Sequence, residues 1–447
     1  MAGKKNPALT KPGKGGANKS TNSSSRNQKP STPKVPSQSI SKNGCENELR
    51  RQQTLLNIFS TTFSDVLGAE DFSSQLQEVK AALFSRDFEG AFAREATLDV
   101  YAARWSPTRA LCYGHVLRGL ETHLSSLANK HGCETRGSPT CSDQDESATK
   151  DEARDIEPTD SEEPEVSTST DKREDSEREE QTQPLKILAI GGAAAEIVAF
   201  ADYISSHDGS APSLQAELTL LDIGPWGPIV SRLHSALTTA PPLSRYASAA
   251  AREVNKALVG SSSFQSRFLQ KDILSLNQEE LAELITGGAD PKPKPTLITL
   301  LFTLNELYTT SGIKRTTSFL RLLSTLVSPG TLLLVIDSPG SYSEAVVGKD
   351  AKRYPMQWLL DHTLVPPPSN PRRRRSGSND DDDDDDNNGD DSNSNSDQNR
   401  APPRSDVKWE KLESHDSVWF RLAEGLRYPI PLENMRYQMH LYRAFIS

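Results

Sequence analysis

Leu185-Lys-Ile-Leu-Ala-Ile-Gly-Gly-Ala-Ala-Ala-Glu-Ile197 is the stretch on which the fold turns. A β-rich apolar run stops at a glycine pair and passes into small residues suited to a helix start. Strand, tight turn and helix in that order open the nucleotide-type pocket of a doubly wound α/β sheet. A dinucleotide site requires Gly-x-Gly-x-x-Gly, because the helix N-terminus must meet a pyrophosphate. Counting from Gly191, the third glycine position holds Glu196. A carboxylate there repels phosphate and crowds the helix against the strand. A cationic, phosphate-free cofactor such as S-adenosyl-L-methionine raises no such conflict.

Working outward, apolar strand runs alternate with helical patterns, which predicts a mainly parallel sheet covered on both faces. The first strand is Leu185 to Ile190 and its helix Ala194 to Ser205. The second strand runs from Glu217 to Leu221 and ends at Asp222. Ser231 to Leu237 and Ser248 to Val259 read as helices. A third strand, Phe264 to Leu269, closes at Asp272, and a fourth, Thr296 to Leu304, ends at Asn305-Glu306. After a helix at Arg315 to Val327, a Ser-Pro-Gly turn leads to the fifth strand, Thr331 to Ile336, ending at Asp337. Ser417 to Leu422 and Tyr437 to Phe445 are two further strands. The layout predicts a seven-stranded sheet whose last strand is antiparallel and lies beside the fifth.

Upstream, residues 47–130 are expected to form an N-terminal helical part. Leu55, Phe59, Phe63, Val66 and Leu67 recur at helical spacing, as do Phe72, Leu76, Val79 and Leu83. Ser106-Pro107 reads as a helix start with the serine as N-cap. Leu117, Leu120, Leu124 and Leu127 would form one stripe of that helix.

The net charge of −10 is unevenly spread. Residues 142–183 carry 17 acids and 5 bases, and residues 376–400 carry 10 acids and 1 base. The first 50 residues carry 10 bases and 2 acids, and Arg372 to Arg375 add a further basic block. The remaining body is close to neutral, so the acidic total does not exclude a nucleic-acid partner. These segments read as a disordered basic arm (1–46), an acidic disordered linker (131–183) and a disordered insertion (366–405) within the domain at 184–447. Cys45, Cys112, Cys133 and Cys141 form no Cys-x-x-Cys pair, so neither a disulfide framework nor a metal site is expected. No apolar run approaches the roughly 20 residues a bilayer span needs, and no secretory leader is read at the N-terminus.

Open α/β sheets bind ligands at the carboxyl ends of their strands. Gly191 and Gly192 there let the backbone approach the methionine part of a cofactor. Asp222 can accept both ribose hydroxyls, or cap a turn. Asp272 can meet an adenine amino group, or cap Ile273-Leu274. Trp226 either walls the adenine or packs in the core. Glu196 lies near the cofactor's amino-acid end, or is an acid favoured by the helix dipole. Asn305 and Glu306 stand beside the expected reactive methyl.

The pattern resembles the fungal 25S ribosomal RNA (uridine-N3) methyltransferases, a branch of the class I S-adenosylmethionine-dependent enzymes. The residues that carry the resemblance are Tyr101-Ala-Ala-Arg104-Trp105-Ser106-Pro107-Thr108-Arg109-Ala110, Ile190-Gly-Gly-Ala-Ala-Ala-Glu196, Leu221-Asp-Ile-Gly-Pro-Trp226 and Thr303-Leu-Asn-Glu-Leu-Tyr308. Asp337-Ser-Pro-Gly-Ser-Tyr-Ser-Glu344 and Leu432-Glu-Asn-Met-Arg-Tyr-Gln-Met-His-Leu-Tyr442 complete the set. The resemblance implies a Rossmann-like class I fold and S-adenosyl-L-methionine held by Gly191, Gly192, Ala193, Glu196, Asp222, Ile223, Asp272 and Thr303. It implies a uridine in large-subunit ribosomal RNA, or in a pre-ribosomal particle, as substrate. Methylation at N3 requires loss of a weakly acidic proton; Glu306 is the expected base or orients the base edge, or else caps the next helix, and Asn305 is a hydrogen-bond partner of a uracil carbonyl. The helical part is expected to close over the cofactor pocket, with Arg104, Trp105, Arg109 and Tyr113 as a basic-aromatic cluster facing RNA, or else with Trp105 in the core and the arginines in ordinary surface pairs; Arg436 and Tyr437 stand at the substrate mouth. No metal and no membrane enter this reading, and the implied location is nucleus or nucleolus, with cytoplasm also open. The alternatives are a catalytically silent RNA-binding assembly factor and a methyltransferase for a non-RNA substrate. A nicotinamide oxidoreductase is disfavoured by Glu196 and the two late strands.

Overall fold

The computed structural model describes residues 42–128, 183–207, 213–286, 294–340, 344–347, 352–365 and 407–446. The basic arm up to residue 41, the acidic linker to residue 182 and the insertion at 366–405 lie outside the described residues. Lys42 to Glu46 contribute the first turns of a helix, and Asn47–Ser447 forms one unit.

Seven helices come first: α1 Lys42–Thr62, α2 Ser64–Leu67, α3 Phe72–Ser85, α4 Phe88–Phe92, α5 Glu95–Arg104, α6 Ser106–Gly119 and α7 Glu121–Ala128. The sheet follows as β1 Leu185–Ile190, α8 Ala194–Ser205, β2 Ala216–Asp222, α9 Gly227–Thr238, α10 Ala249–Glu253, β3 Phe264–Gln270, α11 Gln278–Thr286 and β4 Leu297–Leu301. A short α12, Leu304–Glu306, continues through a π turn at Leu307–Ser311 into α13, Gly312–Leu326, and then β5, Leu332–Asp337. A hairpin of β6, Glu344–Val347, and β7, Lys352–Pro355, leads into α14, Met356–Leu364, and the chain finishes with β8, Val407–Phe420, and β9, Met435–Ile446.

The strand order is β3-β2-β1-β4-β5-β9-β8. The first five strands are parallel, and β9 runs antiparallel between β5 and β8, as the sequence layout predicts. Alternation along each strand feeds two cores. Leu185, Ile187 and Ala189 of β1 and Leu332, Leu334 and Ile336 of β5 face the core shared with the N-terminal helices, α8 and α9. Leu188, Ile190, Leu333 and Val335 face the other core, under α11, α13 and α14. The N-terminal helices therefore complete one face of the sheet. Asp202 of α8 ties them down: Arg118 of α6 donates to it at 2.7 Å and Arg51 of α1 also donates to it. Arg118 additionally bonds Glu48 at 2.8 Å.

Several boundaries differ from the sequence reading. Ser106 is buried inside the first turn of α6, and Trp105 holds the cap position without a side-chain cap bond, because α5 ends only one residue earlier. The leucine stripe is divided at Leu120, whose N–H turns back to the carbonyls of Val116 and Leu117. The helix expected at 248–259 stops at Glu253, and beyond it the Asn255 side-chain amide donates to the Pro241 carbonyl at 2.8 Å. β4 ends at Leu301, because Phe302 turns into positive φ (62°). β8 begins ten residues before the expected Ser417, as a long edge strand with two register shifts.

Candidate active site

A cavity of about 800 Å³ opens at the carboxyl ends of β1, β2 and β4. Gly191 turns the chain out of β1 with φ of 69°, and a Cβ there would stand 2.3 Å from the Thr303 hydroxyl. Only glycine permits both the turn and that approach. Gly192 is not part of the cavity wall; a Cβ on it would come within 2.9 Å of the Glu196 side chain. Ala193, Glu196, Asp222, Ile223, Asp272, Thr303 and Glu306 all line the cavity.

The acids differ in what already holds them. Glu196 is buried, accepts the Ala193 N–H at 2.8 Å, and burial pushes its carboxyl up to about 7. It is therefore both a cap for its own helix and a wall of the cavity. Asp222 accepts the Gly224 N–H at 2.7 Å and the Trp226 indole, with burial raising it to about 6. Asp272 caps the turn after β3 by accepting the Leu274 N–H at 2.9 Å, the capping role weighed for it, and still faces the cavity. Glu306 has no hydrogen-bond or ion-pair partner for its carboxylate among the described residues. Burial, then the nearby charge of Asp222, raises it to about 7.

Asn305 does not line the cavity. Its backbone N–H donates to Asp337 at 2.9 Å, which fastens the turn carrying Glu306 to the end of β5. Asp337 and Phe302 are positioning groups that the sequence reading left without a role.

The N-terminal helices roof the cavity. Phe88 and Phe92 of α4 and Tyr101 of α5 line it together with Trp226. Tyr101 meets Phe92 edge-on at 5.0 Å and Trp226 edge-on at 5.9 Å, so Trp226 serves both as wall and as packing. The spacing of Phe88 and Phe92 on one helical face was the available sign of this roof.

The basic-aromatic cluster expected to face RNA is divided by the fold. Arg104 is buried and pairs with Glu433 at 2.5 Å. Tyr113 is buried within the core, so it presents nothing to solvent. Trp105 is half-buried against Tyr101. Arg109 points into the cavity, bonds the Tyr101 hydroxyl, and stacks over Phe302 at 4.7 Å. It has no acid at ion-pair distance among the described residues. Arg436 alone is exposed, at the start of β9, and Tyr437 beside it is buried.

The wall carries five carboxylates, Glu89, Glu196, Asp222, Asp272 and Glu306, against Arg109 and Lys271. That donor set suits a ligand with a sulfonium, an ammonium and one carboxylate, and is unsuited to a pyrophosphate. S-adenosyl-L-methionine fits. Among the described residues no three metal-ligating side chains converge, and no helix is long and apolar enough to cross a membrane.

A family model described as "SAM-dependent methyltransferase" matches residues 59–443. The chain is similar to the 25S rRNA (uridine(2843)-N(3))-methyltransferase of Saccharomyces cerevisiae, with 27% identity over 416 residues, covering 87% of this chain and 85% of that one. Among solved structures, it is similar to a SAM-dependent methyltransferase from Methanosarcina mazei (8% identity, 60% of this chain, 95% of that one, TM-score 0.28). It is also similar to an O-methyltransferase family protein from Burkholderia thailandensis (10% identity, 85% and 74%, TM-score 0.28).

Proposed function

The chain belongs to the S-adenosylmethionine-dependent methyltransferase family, and we propose that it methylates N3 of a uridine in large-subunit ribosomal RNA. The observation that carries the substrate is the similarity to the yeast enzyme over nearly the whole of both chains. The cofactor, when bound, supplies an electrophilic methyl group. Asp222 takes the ribose hydroxyls with the oxygen lone pairs that Gly224 and Trp226 leave free. Ile223 is 68% exposed at the cavity mouth, an apolar side chain that a flat adenine ring would cover. Asp272 stands at the same end. Glu196 faces the ammonium, and Arg109, a cation without an acid partner, takes the carboxylate. The glycine turn at Gly191 brings backbone close to the methionine chain.

Glu306 is the general base. Its carboxylate is held on a turn fixed by Asp337, has no donor partner among the described residues, and is raised by burial to about 7, a value suited to base catalysis at neutral pH. It would accept the proton that uracil N3 must lose for a methyl group to be received there. The aromatic side chains of Phe88, Phe92 and Tyr101 on the cavity wall offer apolar faces for the base. A nuclear or nucleolar location and engagement of ribosomal RNA or a pre-ribosomal particle follow from this substrate. Mass spectrometry of large-subunit ribosomal RNA nucleosides, with and without the gene, tests the proposal. Loss of one 3-methyluridine is expected; an unchanged nucleoside profile overturns it.

A further inference from the structure

The sheet extends two strands beyond the cavity. In β9, Gln438 pairs with Asp337 at the carboxyl end of β5, and Arg436 lies further out at the same rim. Arg436 pairs with Trp419 of β8. Val418, Phe420 and Tyr437 pack into the core beneath the N-terminal helices, so alternation turns Trp419 and Arg436 to the opposite face. That is the face on which α14 packs.

On it the fold leaves large aromatic groups open. Trp419 is 54% exposed, with the guanidiniums of Arg421 and Arg436 each 5.8 Å from its ring centre. Arg436 is steadied by donating to Ser417 at 2.8 Å. On α14, Trp358 is 49% exposed and stacks between Tyr354 at 5.0 Å and His362 at 5.2 Å. An indole flanked by two guanidiniums offers a flat stacking face with positive charge at its rim. A purely apolar partner would not want two guanidiniums around the indole. A single-stranded polyanion with flat bases fits both features, the bases stacking on indole and the phosphates meeting arginine.

We infer that the Trp419–Arg421–Arg436 cluster is a stacking platform for single-stranded RNA flanking the target nucleotide, Trp358 of α14 being a second exposed aromatic on that side of the sheet. The inference rests on the proposed RNA substrate and adds the path the strand takes. From β4, whose end carries Glu306, to β8 is three strand spacings, about 14 Å. At about 3.4 Å per stacked nucleotide, that places the platform roughly four nucleotides from the reacting base. This surface takes over the RNA-facing role that Arg104 and Tyr113, being buried, do not fill.

The test is fluorescence-anisotropy titration of the full chain with a labelled single-stranded RNA oligonucleotide, alongside calorimetry of S-adenosylmethionine binding. Trp419→Ala should weaken RNA binding about tenfold or more, and Trp419→Phe should recover most of it. Arg421→Gln with Arg436→Gln should reduce the slope of log affinity against log salt by about 1.4. Cofactor affinity should be unchanged in all of them, which certifies the fold. Trp419→Ala binding RNA as tightly as the parent overturns the platform and leaves the methyltransferase reading intact. So does loss of binding to large-subunit precursor particles with oligonucleotide binding retained, which would make this face a protein contact. A parent protein that binds neither the oligonucleotide nor large-subunit precursor particles sinks the substrate reading and the platform together.

Discussion

At the scale of single residues, reactivity here follows from which carboxylate the fold leaves unoccupied. Glu196 and Asp222 each accept backbone N–H groups, whereas Glu306 accepts none. Glu306 acts as a base only when ionised, and its carboxyl is raised to about 7, so kcat/KM should climb as pH rises through that region and fall below it. Glu306→Gln should lower kcat by about 10²- to 10⁴-fold and flatten that acid limb, with cofactor affinity nearly unchanged. A pH–rate profile of the purified variant checks both; an acid limb that persists would assign the titration to Glu196. The acids were legible in the sequence because strand ends are where this architecture puts ligands. For Arg104, Tyr113 and Arg109, local spacing shows a basic-aromatic cluster but not which way each side chain turns. That direction is set by Glu433 and Phe302, which lie hundreds of residues downstream.

Among elements, α8 has to hold both the cofactor end and the N-terminal helices. Its first turn presents Glu196 to the cavity, and near its other end Asp202 anchors α1 and α6. Asp202 is buried, and removing one partner of a buried network leaves the others uncompensated. Asp202→Ala should therefore destabilise the protein by about 3–5 kcal/mol, read by chemical denaturation. It should also weaken cofactor binding, since α4 and α5 roof the cavity as part of the same helical layer. A loss below about 1 kcal/mol would mean that apolar packing alone holds that layer. The parallel strands were readable because each is a short apolar run between turn residues, buried on both faces. β8 was half missed because Lys408 to Asp416 is rich in charge and bulged, as an edge strand is expected to be, so its sequence lacks a clean period of two.

For the whole molecule, the charge is concentrated in segments that none of the described elements uses. The described strand β8 starts only at Val407, after the acidic block at 376–400. Shortening such a connection changes closure entropy by less than about 1 kcal/mol. Deleting residues 376–400 should leave thermal unfolding and cofactor affinity close to those of the full chain; a drop of many degrees would show that the block is part of the folded body. The sheet's order also fixes a timetable for the chain during synthesis. β5 is finished at Asp337, but its outer neighbour β9 does not begin until Met435. At about 5–20 residues per second, the nascent protein holds an unpaired, fully apolar strand edge for roughly 5–20 s before the segment that covers it leaves the ribosome. Pairing of that edge therefore waits on translation of the last strand, however early the parallel strands are complete.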